Sequence, residues 1–312
     1  MIYTLTLNPA LDRTLFINQI KADDSNRIEK EERFAGGKGI DVSRVLNELD
    51  IPNIALGFVG GFAGDELEGR LINEGIGCSF VRIREETRTN IILNDLTTHK
   101  QTVFSAKGPE IEPFELMKLI RMIEILENPE TFAISGSLPD GVHPEIYRKI
   151  IDLARSRGAY VALDTDGEPL HSGITAHPNL IKPNIHELSR LIGKELTSIE
   201  EISSAAKEIV QEGVETVLVS MGPKGILLVN FKEVLLAVPP EVKVVNTIGA
   251  GDSSVSGFIG AMRKGLSIGD CLKFAVASGT ATTLQTGTAL GRKEDIERLF
   301  KQVTLKEIEK SK

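Results

Sequence analysis

The sequence predicts an α/β fold: a mostly parallel sheet covered by helices on both faces, with a small β-sheet outside it as a lid. Three observations predict it. From residue 111 onward, short apolar strands alternate with amphipathic helical stretches, the pattern of a parallel sheet with helical crossovers. Before that, residues 13–34 and 80–106 consist of short β-branched and charged pieces, the texture of partly exposed strands. Two glycine-rich turns, at 36–39 and 249–251, each lead into a helix-periodic run, and strand-to-helix turns are where such sheets bind ligands.

Taken in order, residues 2–7 read as a buried strand ended by Asn8 and Pro9, with Asp12 directly behind. Within 13–34, residues 14–17 are extended, charges gather around Arg27, and Phe34 closes the stretch. The turn Ala35-Gly36-Gly37-Lys38-Gly39 opens a helix whose apolar positions 42, 45, 46 and 49 have helical spacing. A strand at 54–59 precedes Gly60, Gly61 and Gly64 and a helix at about 65–73. The G-x-G-x-x-G spacing of dinucleotide sites is missing there. Extended pieces follow at 80–83, 89–94 and 101–104; the last two form a hairpin, and all three are expected beside 13–34 in the small sheet. The regular half gives helices at about 112–127, 144–157, 186–191 and 199–211, and strands at 132–135, 160–163 and 216–220. Residues 231–245 supply shorter strands with antiparallel character, the last running into the turn at 249–251. Helices at about 253–264, 268–284 and 293–301 close the chain, with helical character expected to its end. The whole of 1–312 reads as one domain, with the lid, about 13–34 and 86–106, inserted in the core.

Composition narrows the function classes. Of 312 residues, 41% are apolar and 26% charged, with both signs interspersed. A formal charge of −8 and a pI near 5.4 give no support to a general nucleic-acid surface. Two isolated cysteines, Cys78 and Cys271, make neither a disulfide scaffold nor a thiolate zinc site. His99, His143, His171, His177 and His186 have no metal-ligand spacing and read as surface or packing residues. Residues 2–7 alternate as a strand and not as a signal segment. No apolar run approaches the ~20 residues needed to cross a bilayer. A cytoplasmic enzyme without membrane or nucleic-acid partners is the expectation.

The turn Gly249-Ala250-Gly251 and Asp252 carry the sharpest chemistry. A helix start presents unpaired N–H groups and a positive dipole end, so it can hold an anion. A carboxylate in its first turn can take the proton of an attacking hydroxyl while those N–H groups hold transferring phosphoryl oxygens. The bland alternative is a tight turn with an acidic first-turn residue. Lys38 lies in a second such turn without the full Walker spacing, since Gly39 follows it. It is either solvated or holds a phosphate already on the substrate. Arg27 and Arg88 could do the same from the lid, with guanidinium geometry suited to phosphate. Asp12 can accept bonds from sugar hydroxyls or serve as a turn carboxylate. Asn184 and Glu187 share a helix face, where they can orient water around Mg²⁺ or form a capping box.

Together these stretches resemble the PfkB, or ribokinase-like, family of carbohydrate kinases, in its phosphofructokinase and tagatose-6-phosphate kinase branch. The resemblance covers essentially the full chain: residues 4–12, 35–40, 87–90, 134–139, 181–184 with Glu187, 219–222 with Gly225, and most diagnostically Asn246-Thr-Ile-Gly-Ala-Gly-Asp252. It implies a ribokinase-like three-layer α/β/α sandwich whose β-sheet lid closes over the sugar and mediates homodimerisation. It makes Asp252 the general base and residues 249–251 the anion hole. Asp12 would bind sugar hydroxyls, while Gly37, Lys38, Arg88 and Ser137 would line the phosphosugar site, flanked by Gly39 and Asn90 of the same motifs. Lys182, Asn184 and Glu187 would lie near the triphosphate of ATP and its Mg²⁺. Ser220, Gly222 and Gly225 would approach the nucleotide phosphates, and Ser278 and Gly279 the nucleoside. One position departs: the branch reads G-G-K-G-x-N, and this chain has Asp41 for that Asn. A carboxylate can still accept hydroxyl hydrogen bonds but cannot donate as an amide does. It also adds negative charge near a phosphorylated substrate, which bears on the identity of the sugar more than on kinase chemistry. The implied reaction is phosphorylation of a ketohexose monophosphate by ATP. Fructose 1-phosphate is the first expectation, tagatose 6-phosphate and fructose 6-phosphate the alternatives, and a catalytically silent sugar-phosphate-binding regulator the non-enzyme reading.

Overall fold

The computed structural model describes residues 1–98 and 100–310, so the reading of His99 lies outside the described residues. The first part of the chain contains β1 (Ile2–Thr6), β2 (Ala10–Ile17), β3 (Lys30–Gly36), α1 (Lys38–Glu48), β4 (Asn53–Val59) and α2 (Gly61–Asn73). It continues through β5 (Gly77–Arg82), β6 (Arg88–Asp95), β7 (Lys100–Phe104), α3 (Pro113–Glu124), β8 (Thr131–Ser135), α4 (Ile146–Ser156), β9 (Tyr160–Asp164) and α5 (Gly167–Ile174). Then come β10 (Leu180–Ile181), α6 (Ile185–Ile192), α7 (Ile199–Gln211), β11 (Thr216–Ser220), β12 (Ile226–Asn230) and β13 (Glu233–Val238). Last are α8 (Ala250–Arg263), α9 (Ile268–Thr283), α10 (Lys293–Phe300) and β14 (Thr304–Lys310).

Ten strands form the main sheet in the order β14-β13-β12-β11-β10-β9-β8-β1-β4-β5, and four form a second sheet, β3-β2-β6-β7. In the main sheet the pairings from β5 to β11 are parallel, and those of β12, β13 and β14 are antiparallel. Alternation along each strand buries both faces. Phe132 and Ile134 of β8 pack with α3, α4, α5, α6 and α7, while Ala133 points into the core built by α1, α8, α9 and α10. This is the three-layer sandwich expected from the sequence.

Four local expectations are corrected. Residues 80–83 belong to β5, which pairs in parallel with β4 at the edge of the main sheet and not with the small sheet; Val81 is drawn into the main core. The helix α5 was not anticipated, being only eight residues long and led by Gly167, with Asp166 accepting a hydrogen bond from its N–H. Residues 239–249 are irregular, so no strand runs into the turn at 249–251. Pro239 and Pro240 remove two ladder donors at the point where a strand would continue. The C-terminal segment is a strand, not helix: β14 pairs with β13, and a register shift opposite Val234 and Leu235 skips Ile308. That bulge gives Leu305 and Ile308 a spacing of three, which imitates a helix. No helix among the described residues is long and apolar enough to cross a membrane.

The small sheet grows directly from the main one. β1 ends, Asn8 and Pro9 turn the chain, and β2 begins at Ala10 in the other sheet. β2 and β6 pair in parallel with Asp12 opposite Asn90, and β2 and β3 antiparallel with Asp12 opposite Phe34. The return from β3 through Gly36 and Gly37 leads into α1. Gly37 has φ +119°, and a Cβ there would sit 2.9 Å from the Thr6 Cγ2. Glycine is therefore required where the second sheet rejoins the first.

Candidate active site

The site lies at the C-terminal ends of the parallel strands, where β1 and β9 meet the starts of α1 and α8. At its centre is Asp164, the last residue of β9, whose side chain is 1% exposed. Its Oδ1 is 3.1 Å from the Lys38 Nζ, and its Oδ2 is 3.1 Å from the Lys182 Nζ. One buried carboxylate thus holds two ammonium groups that come from different elements, α1 and the residue after β10. Burial alone would raise the Asp164 pKa, but Lys182 and then Lys38 hold it below the ordinary carboxylate value. Asp164 in turn holds the Lys38 ammonium above the ordinary lysine value. The neighbouring turn after β8 is fixed by Gly136, whose carbonyl accepts from the Tyr147 hydroxyl and the Thr165 Oγ1, each at 2.9 Å.

Asp252 lies in the first turn of α8, 8% exposed. Burial, then the Asp164 charge, raise its pKa to about 6, against the pull of Lys38 and Lys182. Gly249 takes a left-handed conformation as N-cap, φ 76° and ψ −6°, and no side chain caps the helix. The first-turn N–H groups therefore remain for a ligand, except that of Ala250, which donates to the Thr247 carbonyl at 3.3 Å. A Cβ on Gly251 would lie 3.1 Å from the Lys182 Nζ, so ammonium and helix start face the same spot. A proton acceptor with a pKa near 6, two cations and free N–H donors are the parts that phosphoryl transfer to a hydroxyl requires.

On the side of the small sheet, Asn90 Nδ2 donates to Asp12 Oδ1 at 2.8 Å, and Asn90 Oδ1 accepts from the Ala106 N–H at 3.0 Å. Burial raises the Asp12 pKa against that bond and the Arg88 charge. Arg88 donates to the carbonyls of Pro9, Ala106 and Asn8 at 3.4, 3.1 and 3.0 Å. Three of its five N–H groups lace the turn between the sheets, and two remain for an anion. Asn8 Nδ2 donates to the Ser137 Oγ at 3.2 Å, bringing that hydroxyl to the same turn. Asp41, in the first turn of α1, is buried within reach of the charges of Asp252, Arg44 and Asp12.

Across Asp252 from the sugar side, a cavity of about 520 Å³ is lined by Ser220, Gly222, Gly225, Gly251, Gly279 and the irregular stretch around Pro240, among others. Gly225 has φ +97°, and a Cβ there would be 1.9 Å from the Ala237 carbonyl oxygen, so only glycine keeps this wall. Volume and largely apolar walls suit a nucleoside with its phosphates directed at the α8 start.

The sequence-expected residues separate into groups. Gly37, Lys38, Gly39, Asp12, Asp41, Arg88, Asn90, Ser137 and the turn 249–252 gather around the junction of the two sheets. Asn184 and Glu187 form the reciprocal capping box of α6: Asn184 Oδ1 accepts from the His186 and Glu187 N–H groups, both at 2.9 Å, and Glu187 Oε2 accepts from the Asn184 N–H at 2.8 Å. The Glu187 charge nevertheless reaches Lys38 and Asp252. Two expectations are corrected. Ser278 is fully buried, and a Cβ on Gly257 would meet its Oγ at 2.4 Å, so it packs between α8 and α9 and does not line the cavity. Arg27 stands in the exposed loop beyond the Phe16 and Lys30 pair, at the end of the small sheet away from Asp12. Asp164 was missed as a site residue. Its signal was present: a polar residue closing an apolar strand in a parallel sheet.

Comparison with known proteins finds relatives that match nearly the whole length. A family model described as pfkB family carbohydrate kinase matches residues 5–295. The chain is 37% identical over 309 residues to a 1-phosphofructokinase of Borreliella burgdorferi, covering 99% of each. It is 35% identical over 303 residues to the 1-phosphofructokinase of Bacillus subtilis, covering 97% of this chain and 98% of that one. Among solved structures it resembles phosphofructokinase-2 from Escherichia coli in complex with substrates and products, with TM-score 0.92, 33% identity, and 96% and 98% of the two chains covered. A tetrameric inhibited form of that Escherichia coli protein also matches, with TM-score 0.91.

Proposed function

This chain belongs to the pfkB family of carbohydrate kinases, and from that premise we propose that it transfers the γ-phosphoryl group of ATP to fructose 1-phosphate, giving fructose 1,6-bisphosphate and ADP. The observation that carries the reading is the buried Asp252, with its raised pKa, beside two lysines pinned by Asp164. Relatives named 1-phosphofructokinase, aligned over nearly the full length, support the choice of sugar.

In this reaction the sugar hydroxyl lies against Asp252 with its neighbouring hydroxyls toward Asp12. As its oxygen bonds to the γ-phosphorus, its proton passes to the Asp252 carboxylate, and the bond from that phosphorus to the oxygen bridging the β-phosphate breaks. A base with a pKa of about 6 is ionised at neutral pH yet close enough to accept the proton efficiently. The first-turn N–H groups of α8 hold the transferring oxygens, and Lys182 and Lys38 balance the charge on either side of them. Arg88, with two N–H groups left, is placed for the phosphate already on the sugar. Closure of the small sheet over this junction excludes water, which would otherwise accept the phosphoryl group.

The residues present fit a hydrated Mg²⁺ but not an all-protein cage. No group of three or more His, Cys, Asp or Glu arranged for a metal occurs among the described residues. Glu187, with one oxygen taken by its cap, offers the single carboxylate that a triphosphate-bound Mg²⁺ needs. When bound, the ion would neutralise charge on the ATP phosphates.

The small sheet also carries the proposed homodimer contact. β7 is an exposed edge strand, and Val103 and Phe104 are 47% and 55% exposed. Pairing of two such sheets would cover an edge that is otherwise open.

The test is product identification. ³¹P NMR of a reaction with Mg²⁺, ATP and fructose 1-phosphate should reveal fructose 1,6-bisphosphate and ADP in equal amounts. Turnover of tagatose 6-phosphate or fructose 6-phosphate in its place would move the chain to another member of the same branch, and ATP binding without any turnover would favour a silent regulator.

A further inference from the structure

Three carboxylates of different elements face the junction of the sheets: Asp12 of β2, Asp41 of α1 and Asp252 of α8. Asp12 has a hydrogen bond from Asn90, and Asp252 has two lysines near it. Asp41 has neither. Its Oδ1 is enclosed and accepts no hydrogen bond. The Arg44 Nη1 stands 3.5 Å from it, an ion-pair distance without a hydrogen bond. That guanidinium is already committed: its Nε donates to Glu74 at 3.1 Å, and its Nη1 to the carbonyls of Ala35 and Thr288 at 3.4 and 3.5 Å. The side chain keeps 11% of its surface open, and Oδ2 lies 3.9 Å from where a Cβ of Gly249, the N-cap of α8, would be.

The charged groups acting on Asp41 are Asp252, Arg44 and Asp12. An ionised carboxylate here would be buried with an unpaired oxygen, one distracted guanidinium and two like charges, which is among the costlier arrangements in a protein. A bound phosphosugar would add further negative charge. The neutral acid avoids that cost and gains a donor.

We propose that Asp41 works as a neutral carboxylic acid that donates a hydrogen bond from Oδ2 to a hydroxyl of the ketohexose phosphate between Asp12 and Asp252, making it a specificity-determining residue. This rests on the phosphosugar reading above. Asp12, hydrogen-bonded as an acceptor by Asn90, reads hydroxyl protons; Asp41 reads a hydroxyl oxygen. The two together select a sugar by the positions of adjacent hydroxyls. A site built on such pairs rejects a sugar lacking the partner far more strongly than an apolar wall does. The proposal also explains how a carboxylate takes a place where the family's amide supplies both an acceptor and a donor.

Two measurements test it. The infrared spectrum of the unmodified protein minus that of Asp41→Asn, at pH 7.5 without substrate, should contain the C=O stretch of a protonated carboxylic acid. A carboxylate band in its place overturns the proposal. This arm needs no substrate, so it judges the charge state separately from the phosphosugar reading. In turnover assays, Asp41→Ala should have kcat/KM for the phosphosugar at least tenfold below that of Asp41→Asn, chiefly through KM for the sugar and not for ATP. Equal values for the two variants would mean that no donor at this position touches the sugar.

Discussion

In the proposed reaction Asp252 acts as the base at the expense of the fold. Its folded pKa, about 6, lies above the ordinary value of 3.8 because burial and Asp164 favour the protonated form. The stability this group contributes is therefore full below pH 4 and lost as pH rises through about 6. Two outcomes follow for Asp252→Asn. Its kcat should fall by about 10²–10⁴-fold, the usual worth of a positioned base. Its melting temperature should exceed that of the unmodified protein at pH 8, by about 1.5 °C for each kcal/mol in a chain of this size, and match it at pH 4. Calorimetry at the two pH values checks the second, and a pH profile of the unmodified enzyme should give an acid limb of kcat/KM at about 6. Loss of stability in the variant at pH 8 would mean that the carboxylate is held by partners the fold needs.

Gly249 has the corresponding part for the helix it opens. Its φ of 76° suits glycine, and a Cβ would lie 2.7 Å from the Leu290 Cδ2. Gly249→Ala should cost about 1–2 kcal/mol for the left-handed conformation and shift the first turn of α8, so that kcat falls at least tenfold with ATP binding weakened. A chemical-denaturation midpoint and steady-state kinetics check both. What could be read from sequence at this level is what is local. The α8 start, the α1 start and the α6 box are each fixed within a few consecutive residues, so glycine and capping patterns found them. Asp164 was not legible as a partner of Lys38 and Lys182, because that contact depends on β9 lying beside β8 and β10. Ser278 sits one residue from a cavity-lining glycine, and a rotation of one helical position decides between cavity and core. The bulge in the β13 and β14 pairing disguised a strand as a helix for the same reason: the partner that defines it is about 70 residues away in sequence.

In the molecule as a whole, the two sheets share one site. The main sheet supplies Asp164, Lys182 and the cavity; the small sheet supplies Asp12, Asn90 and Arg88; and α1 and α8 close the seam with Lys38, Asp41 and Asp252. The open edge at β7 gives a prediction for assembly. Sedimentation velocity should find a homodimer, and Val103→Glu with Phe104→Glu should shift it to monomer; an unchanged sedimentation coefficient would place the contact elsewhere. The most direct measurement of the central claim is kcat/KM with Mg²⁺ and ATP for fructose 1-phosphate, fructose 6-phosphate, tagatose 6-phosphate and the free sugars. Fructose 1-phosphate should lead, with free fructose at least a hundredfold below it, because Arg88 has a phosphate to hold. Equal or greater turnover of a free sugar would contradict this and leave Arg88 without the role assigned to it.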